Sequence, residues 1–454
     1  MATIAKELAA FACRTKYEDI PADVLERGKS ALLHGICVGA CCYHTPNAIL
    51  IKSALRQFGE TDKSATMLFD GYKTSVLNVA SANAVMFHAR IQEDTHGITH
   101  PGPVLIPLAI ALSEKYGRTG KELLSDLIVG YEIAAAVGMH TTQKSNAKGF
   151  RATPIYGIIA AAAVAGRILQ LDEEEMRAAL TYSCAFANGL VGRTTVSDEW
   201  MYEAAVAVRS AVLSCFLAKN GVKSDAAYFE IAKGYYDAFA EVPQDIGIIT
   251  SHLGKEWEMR KVMFKFFPSG VINQAHILNF VETVQKHEID PTEIEAVTIR
   301  MNKAESQYPG PTSRGPFNDY TQSALSIPFV CANVLLKKRF TYEDQLEFDN
   351  PEILHLMDKV EIIGDENYKP NQSEIVIRMR DGSEIREEQK LSAEYFNCDY
   401  ETEIKLVRGL QKEMVMTPGQ LECLIAVIRN MENQPNMNGL ISATVLAKEE
   451  PKAV

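Results

Sequence analysis

"TGKELLSDLIVGYEIAAAVGMH", residues 119–140, decides the class of fold. Thr119 and Glu122 have the three-residue spacing of a capping box, and apolar residues from Leu123 onward recur three and four apart. That period marks an α-helix with a buried face. The construction recurs downstream. "LDEEEMRAALTYSCAFANGL" (171–190) starts from Asp172 and Glu175, and "YEAAVAVRSAVLSCFLAKNG" (202–221) stops at Gly221, as helices often do. No strong strand is evident before about residue 250. Alanine and glycine are frequent in these runs, so helix axes can approach closely and the body they form is compact.

Beyond residue 255 the period changes. "EIEAVTIRM" (293–301) and "SEIVIRMRDGSEIREEQ" (373–389) alternate branched apolar with charged residues, and Asp381-Gly382 supplies a favoured hairpin turn. Helical runs at "INQAHILNFVETVQKH" and "TQSALSIPFVCANVLLKK" interleave with them. A chain of 454 residues exceeds one ordinary core. The expected architecture is mainly α: an all-helical domain of residues 1–255, completed by C-terminal helices in 391–454, and a smaller α+β domain of 256–390.

Composition narrows the function classes. With 47% hydrophobic and 23% charged residues the chain reads as soluble and globular. A formal net charge of −12 disfavours nucleic acid and anionic membranes as partners. The apolar run "IYGIIAAAAVAGRIL" (155–169) is shorter than a membrane span, and the first residues lack the uninterrupted apolar stretch of a signal peptide, so a cytoplasmic protein is expected. Of nine cysteines only Cys37, Cys41 and Cys42 lie close together, without the paired halves of a zinc site, which fits reduced thiols. There is no G-x-G-x-x-G after a strand, no phosphate-binding loop and no G-x-S-x-G elbow. Nicotinamide, flavin, ATP and serine-hydrolase chemistry are thereby disfavoured.

The chemistry concentrates in "IQEDTHGITHPGP" (91–103). His96 and His100 are four apart, as two metal ligands on one helix face would be, but Gly97 and Pro101 make a regular helix there doubtful. Asp94, Thr95 and Thr99 are placed to cap a helix opened by Pro101 and Pro103. His100 then stands at the free N–H groups of that helix, where an anion is favoured and an imidazole can exchange protons. "KGFRATPIYG" (148–157) repeats the geometry, with Thr153 as expected N-cap, Pro154 at the first helical position, and Arg151 upstream as a carboxylate clamp or a surface side chain. Lys265, in "VMFKFFPSGVINQAH" (262–276), either snorkels outward or reaches into a cleft. Tyr308, in the turn-rich "ESQYPGPTSRGP" (305–316), is an acid or a packing residue.

Taken together, these stretches resemble the MmgE/PrpD family, which includes 2-methylcitrate dehydratase, cis-aconitate decarboxylase and iminodisuccinate epimerase. The likeness is carried by "EDTHGITHPGPVLIPLAIALSEKYGRTGKELLSDLIVGYEI", "GFRATPIYGIIAAAAVAGRILQLDEEEMRAAL", "FKFFPSGVINQAH" and "TQSALSIPFVCANVLL", in that order. It implies a large helical domain with an inserted α+β lid domain, a homodimer, and no metal or organic cofactor. Carried over by position, it makes His100, Tyr308, Thr95 and Asp94 the expected catalytic residues and Lys265 an expected substrate-binding one; Arg151 and His96, which the family pattern does not supply, are expected to bind substrate beside them. This chain also departs from the family pattern: Ile91 stands where decarboxylase relatives have an aspartate, Arg151 replaces a histidine, and a family lysine falls near Trp200 in "SDEWMYEAA" (197–205). The proline- and lysine-rich segment usual around 390–410 is not evident.

Replacing a titratable imidazole by a permanent cation and losing another cation alters charge count and proton bookkeeping. These changes weigh more against cis-aconitate decarboxylation than against dehydration. The expected activity is a cofactor-independent lyase on a small di- or tricarboxylate, dehydrating a 2-hydroxy acid of the 2-methylcitrate type through proton transfer next to a carboxylate. An epimerase or isomerase, a decarboxylase, and a catalytically lapsed carboxylate-binding protein are the alternatives.

Overall fold

The computed structural model describes residues 3–59, 61–192 and 197–446. Its larger core is helical, built on α1 (Ala22–Cys41), α2 (Val76–His88), α3 (Gly102–Tyr116), α4 (Gly120–Gly138), α5 (Ala152–Ile168), α6 (Glu173–Phe186) and α7 (Glu199–Lys219). Both expected capping boxes form, Thr119 with Glu122 at the start of α4 and Asp172 with Glu175 at the start of α6. Helix α5 is the axle. Every residue of it except Arg167 is buried, and it packs against α3, α4, α6 and α7. Small residues permit this: a Cβ on Gly130 of α4 would fall 2.5 Å from Val164 Cγ2 of α5. Helix α7 is long and apolar enough to cross a membrane by length and composition, and it packs into the bundle against α2, α5 and α6.

The smaller core is formed by α8 (Gln274–Lys286), β1 (Ile294–Asn302), α9 (Ile327–Lys337), β2 (Val360–Asp365), β3 (Gln372–Met379) and β4 (Glu384–Lys390). The sheet order is β2-β1-β3-β4, with β1 and β2 parallel and the other pairs antiparallel. Val297 of β1 lies between Val360 and Ile377 in register. Alternation along β3 sends Ile375 and Ile377 inward against α8 and α9, while β4 carries mostly charged residues at the edge, which discourages pairing with another chain. The β3–β4 hairpin turns at Asp381-Gly382, with Gly382 at φ 86°. The chain then returns to the helical core through α10 (Tyr400–Gly409) and α11 (Pro418–Arg429), both packed on α1. The molecule is mainly α, with a small α+β domain.

Two particulars differ from the sequence expectation. Trp257, Met259, Val262 and Phe264, on the far side of the texture change at 255, belong to the helical core. They are stitched there by Glu132, whose carboxylate accepts the backbone N–H groups of Glu258 and Met259, and by a two-bond bridge between Thr95 and Met263. Strands also occur in the helical half, as the two-residue pair Ala65–Thr66 and Lys73–Thr74, too short for any period to register.

Candidate active site

Helix α2 ends at His88, and fourteen residues later α3 begins at Gly102. The loop between them is fixed at both faces. Asp94 Oδ1 accepts the Gly102 N–H at 2.9 Å and the Tyr131 hydroxyl donates to Oδ2, so Asp94 is the cap of α3. Gly102 is required by this closeness, since a Cβ there would fall 2.2 Å from Asp94 Oδ1. The Thr95 hydroxyl is occupied within the turn, against the carbonyls of Gly97 and Thr99, and Thr99 donates to His96 O. His96 Nε2 pairs with Glu258 Oε2 at 2.9 Å. The structure thus gives Asp94, Thr95 and His96 local partners, and none of the three lines the cavity that His100 enters. The capping expected of Asp94, Thr95 and Thr99 together falls to Asp94 alone.

The second helix start lies alongside. α5 begins at Ala152 with Arg151 in the N-cap position, two residues earlier than Thr153 and Pro154 suggest. Thr153 instead accepts the backbone N–H of His100 at 3.2 Å, which ties the two helix beginnings together.

Beneath them sits a carboxylate that sequence reasoning passed over. Glu93, 2% exposed, receives Lys265 Nζ on Oε1 at 2.8 Å, and the same oxygen has His100 Nδ1 at 3.2 Å and His88 Nδ1 at 3.3 Å. The two imidazole contacts are ion-pair distances without hydrogen-bond alignment. Lys265, 1% exposed, also donates to Ile91 O at 3.0 Å, so it reaches inward. Arg151 lies across His88: one guanidinium nitrogen is 2.6 Å from His88 Nε2, the other donates to Trp200 O at 3.0 Å and pairs with Glu203 at 3.2 Å, and the plane rests 4.9 Å from the Trp200 ring. Because a guanidinium only donates, His88 Nε2 accepts, which leaves the His88 proton on Nδ1 facing Glu93. The residue near which the family lysine falls is therefore the aromatic platform for Arg151.

Charge follows from this packing. Burial pushes the Glu93 carboxyl up, but Lys265, His88 and His100 outweigh it and hold the group well below the usual carboxylate range. Burial and the nearby Lys265 ammonium hold His100 well below an ordinary histidine despite Glu93. His88 is lowered as well, chiefly by burial. The site thus joins a carboxylate held low to two cations, Lys265 and Arg151, that burial lowers, and to two imidazoles held below the ordinary histidine range.

His100, Arg151, Lys265 and Tyr308 line one cavity, which encloses about 850 Å³ with its mouth included. Its walls come from the loop and helix starts of the helical half, through Ile91, His100 and Arg151, and from the chain around α8, β1 and α9, through Val271, Tyr308 and Leu325. Tyr308 is 38% exposed and close enough to Arg151 to influence its charge. Among the described residues no group of three or more His, Cys, Asp or Glu could hold a metal ion; His96 and His100 face different carboxylates.

Comparison with known proteins places this geometry. Residues 6–245 match the MmgE/PrpD N-terminal domain and residues 267–395 the MmgE/PrpD C-terminal domain. The chain belongs to the MmgE/PrpD family. Among relatives, the cis-aconitate decarboxylase of Aspergillus terreus is 23% identical over 417 residues, covering 85% of this chain and 84% of that protein. The cis-aconitate decarboxylase of Mus musculus is 22% identical over 409 residues, covering 85% and 81%. The cis-aconitate decarboxylase-like protein oryM of Aspergillus oryzae is 26% identical over 279 residues, and the match spans 58% of each chain. In this MmgE/PrpD chain Lys265 lies just ahead of the second matched region, on the segment that joins the two cores.

The Asp94 cap carries a testable pH dependence. Burial pushes its carboxyl up to about 6 from 3.8. A raised folded-state value means that the folded protein binds the proton more tightly than the unfolded chain, so this group's stabilisation is present below about pH 4 and lost as pH rises to about 6. Asp94→Asn retains an oxygen for Gly102 N–H and removes the titration. Unfolding free energies of the two proteins, measured by urea titration at pH 4.5 and pH 7, should diverge in favour of the variant at the higher pH, by no more than about 3 kcal/mol.

Proposed function

We propose that this protein is a lyase acting on a small carboxylate, and that its first reaction is dehydration of a 2-hydroxy acid of the 2-methylcitrate type. The observation that carries the reading is the convergence of His100, Arg151, Lys265 and Tyr308 on one cavity between two helix beginnings. Arginine, lysine and the start of α5, whose Ala152 and Thr153 line the cavity, suit carboxylate oxygens. A neutral imidazole beside them suits removal of a proton from the adjacent carbon.

His100 with its proton on Nδ1, facing Glu93, presents the Nε2 lone pair to substrate. It removes the hydrogen next to a carboxylate, and the C–H electron pair moves onto that carboxylate as an enediolate, stabilised by the cations. The pair then forms the carbon–carbon double bond as the neighbouring C–O bond breaks. Tyr308 supplies the proton with which hydroxide leaves as water, and the proton on His100 restores the phenol through solvent. A free His100 held below ordinary basicity becomes a stronger base when an anionic substrate arrives, since added negative charge favours the imidazolium.

Decarboxylation is the second reading, supported by the names of the relatives. It would break a carbon–carbon bond, release carbon dioxide and use His100 to return a proton to the carbanion. Mass spectrometry of a panel of citrate, methylcitrate, aconitate and iminodisuccinate incubated with the protein separates the two. A loss of 18 mass units supports dehydration and a loss of 44 supports decarboxylation. Deuterium exchange at the α-carbon without net mass loss points to epimerisation, and a panel left intact overturns the lyase.

A further inference from the structure

Ile91 occupies a backbone conformation that isoleucine tolerates poorly. Its φ is 53°, in the left-handed region where a β-branched side chain crowds its own backbone and where glycine or asparagine would sit easily. The polar work of the residue is done by its backbone: the N–H donates to His88 O and the carbonyl receives Lys265. Either comfortable residue could supply both bonds. What isoleucine adds is an apolar side chain in the wall of the cavity.

That wall continues. Val271, Ile272 and Leu325 of the α+β domain line the same cavity, and like Ile91 they are only partly buried. Gly270 leaves the room in which Leu325 lies, since a Cβ on Gly270 would fall 2.2 Å from Leu325 Cδ2. Backbone strain is retained where the surroundings over-determine it and is concentrated at functional sites. Here it maintains apolar surface, open to the cavity, next to a polar end made by His100, Arg151 and Lys265. The shape matches a ligand with an acidic head and a hydrocarbon substituent.

We propose that the substrate is a carboxylic acid bearing an apolar arm of several carbons, and that Ile91 is the residue that sets this specificity by bedding the arm. The acid end rests on the lyase reading above; the arm rests on the wall alone. The test is a series on the citrate scaffold with hydrogen, methyl, ethyl, propyl or butyl on the carbon next to a terminal carboxylate. For the intact protein kcat/KM should rise about 3- to 5-fold per methylene. Ile91→Asn, which relaxes the backbone, should flatten the rise to below 2-fold per step while melting no lower than the parent. Rates that are level or fall with arm length, or an unchanged slope in Ile91→Asn, overturn the proposal and leave the lyase standing. Should no member be consumed, the lyase fails, and melting temperature against arm length decides the arm: a steady rise supports it and a level response overturns it.

Discussion

Replacing His100 by Asn should lower kcat by about 10²- to 10⁴-fold, the range for loss of a positioned general base, on whichever acid of the panel is consumed. The fold should survive. His100 is bound to the protein through its backbone N–H to Thr153, which any side chain keeps, and its ring has no aligned hydrogen bond to lose at Nδ1. A fall in kcat with KM little changed would place the imidazole at the reacting carbon, whereas a rise in KM alone would make it a binding group. The pH profile adds an independent readout. Because burial and Lys265 hold His100 well below an ordinary histidine, kcat/KM should climb through an acid limb lying below pH 6.5 and be level around pH 7. Glu93 is the contact that opposes this lowering, so Glu93→Gln should move the limb to still lower pH. Undiminished turnover in His100→Asn would sink the assignment.

What could be read in advance, and what could not, divides along a physical line. The capping boxes at Thr119 and Asp172 and the hairpin at Asp381-Gly382 are local chemistry, complete within a few residues, and the structure forms all three. Strand β2 was not legible because "VEIIGD" is short and owes its place to parallel pairing with β1, which lies nearly sixty residues earlier. In the site the long or terminal side chains announced themselves by type: a histidine before a proline-opened helix, an arginine before another, a lysine among aromatics. Glu93 did not, because nothing local in the pair Glu93-Asp94 tells which carboxylate enters the site and which caps a helix, and the left-handed residue Ile91 just before them is signalled by no residue preference. The assignment is made by distant partners, Lys265 for Glu93 and the start of α3 for Asp94. His88 was hidden for a related reason, as the last residue of a helix buried on all sides, with its partners drawn from α5 and the loop.

The interdependence of Lys265 and Glu93 leads to the largest stability effect. Lys265→Met should destabilise the protein by about 3–5 kcal/mol, because it leaves Glu93 buried with its principal counter-charge removed. The double variant Lys265→Met/Glu93→Gln removes both charges and should recover most of that loss, giving a positive coupling in a double-mutant cycle measured by urea unfolding. It should not recover turnover, since the cation that holds the carboxylate would still be missing. A further consequence follows from the two imidazoles that face the same Glu93 oxygen. With the ammonium gone, the repulsion that lowers His100 and His88 disappears while the attraction of Glu93 remains, so their folded-state values rise. Burial still holds both down, so the rise lessens the penalty that a buried neutral imidazole imposes as pH falls through the unfolded value near 6.5. The destabilisation of the single variant should therefore be milder at pH 5.5 than at pH 8, and that difference should vanish in the double variant, which has no carboxylate left for a protonated imidazole to answer.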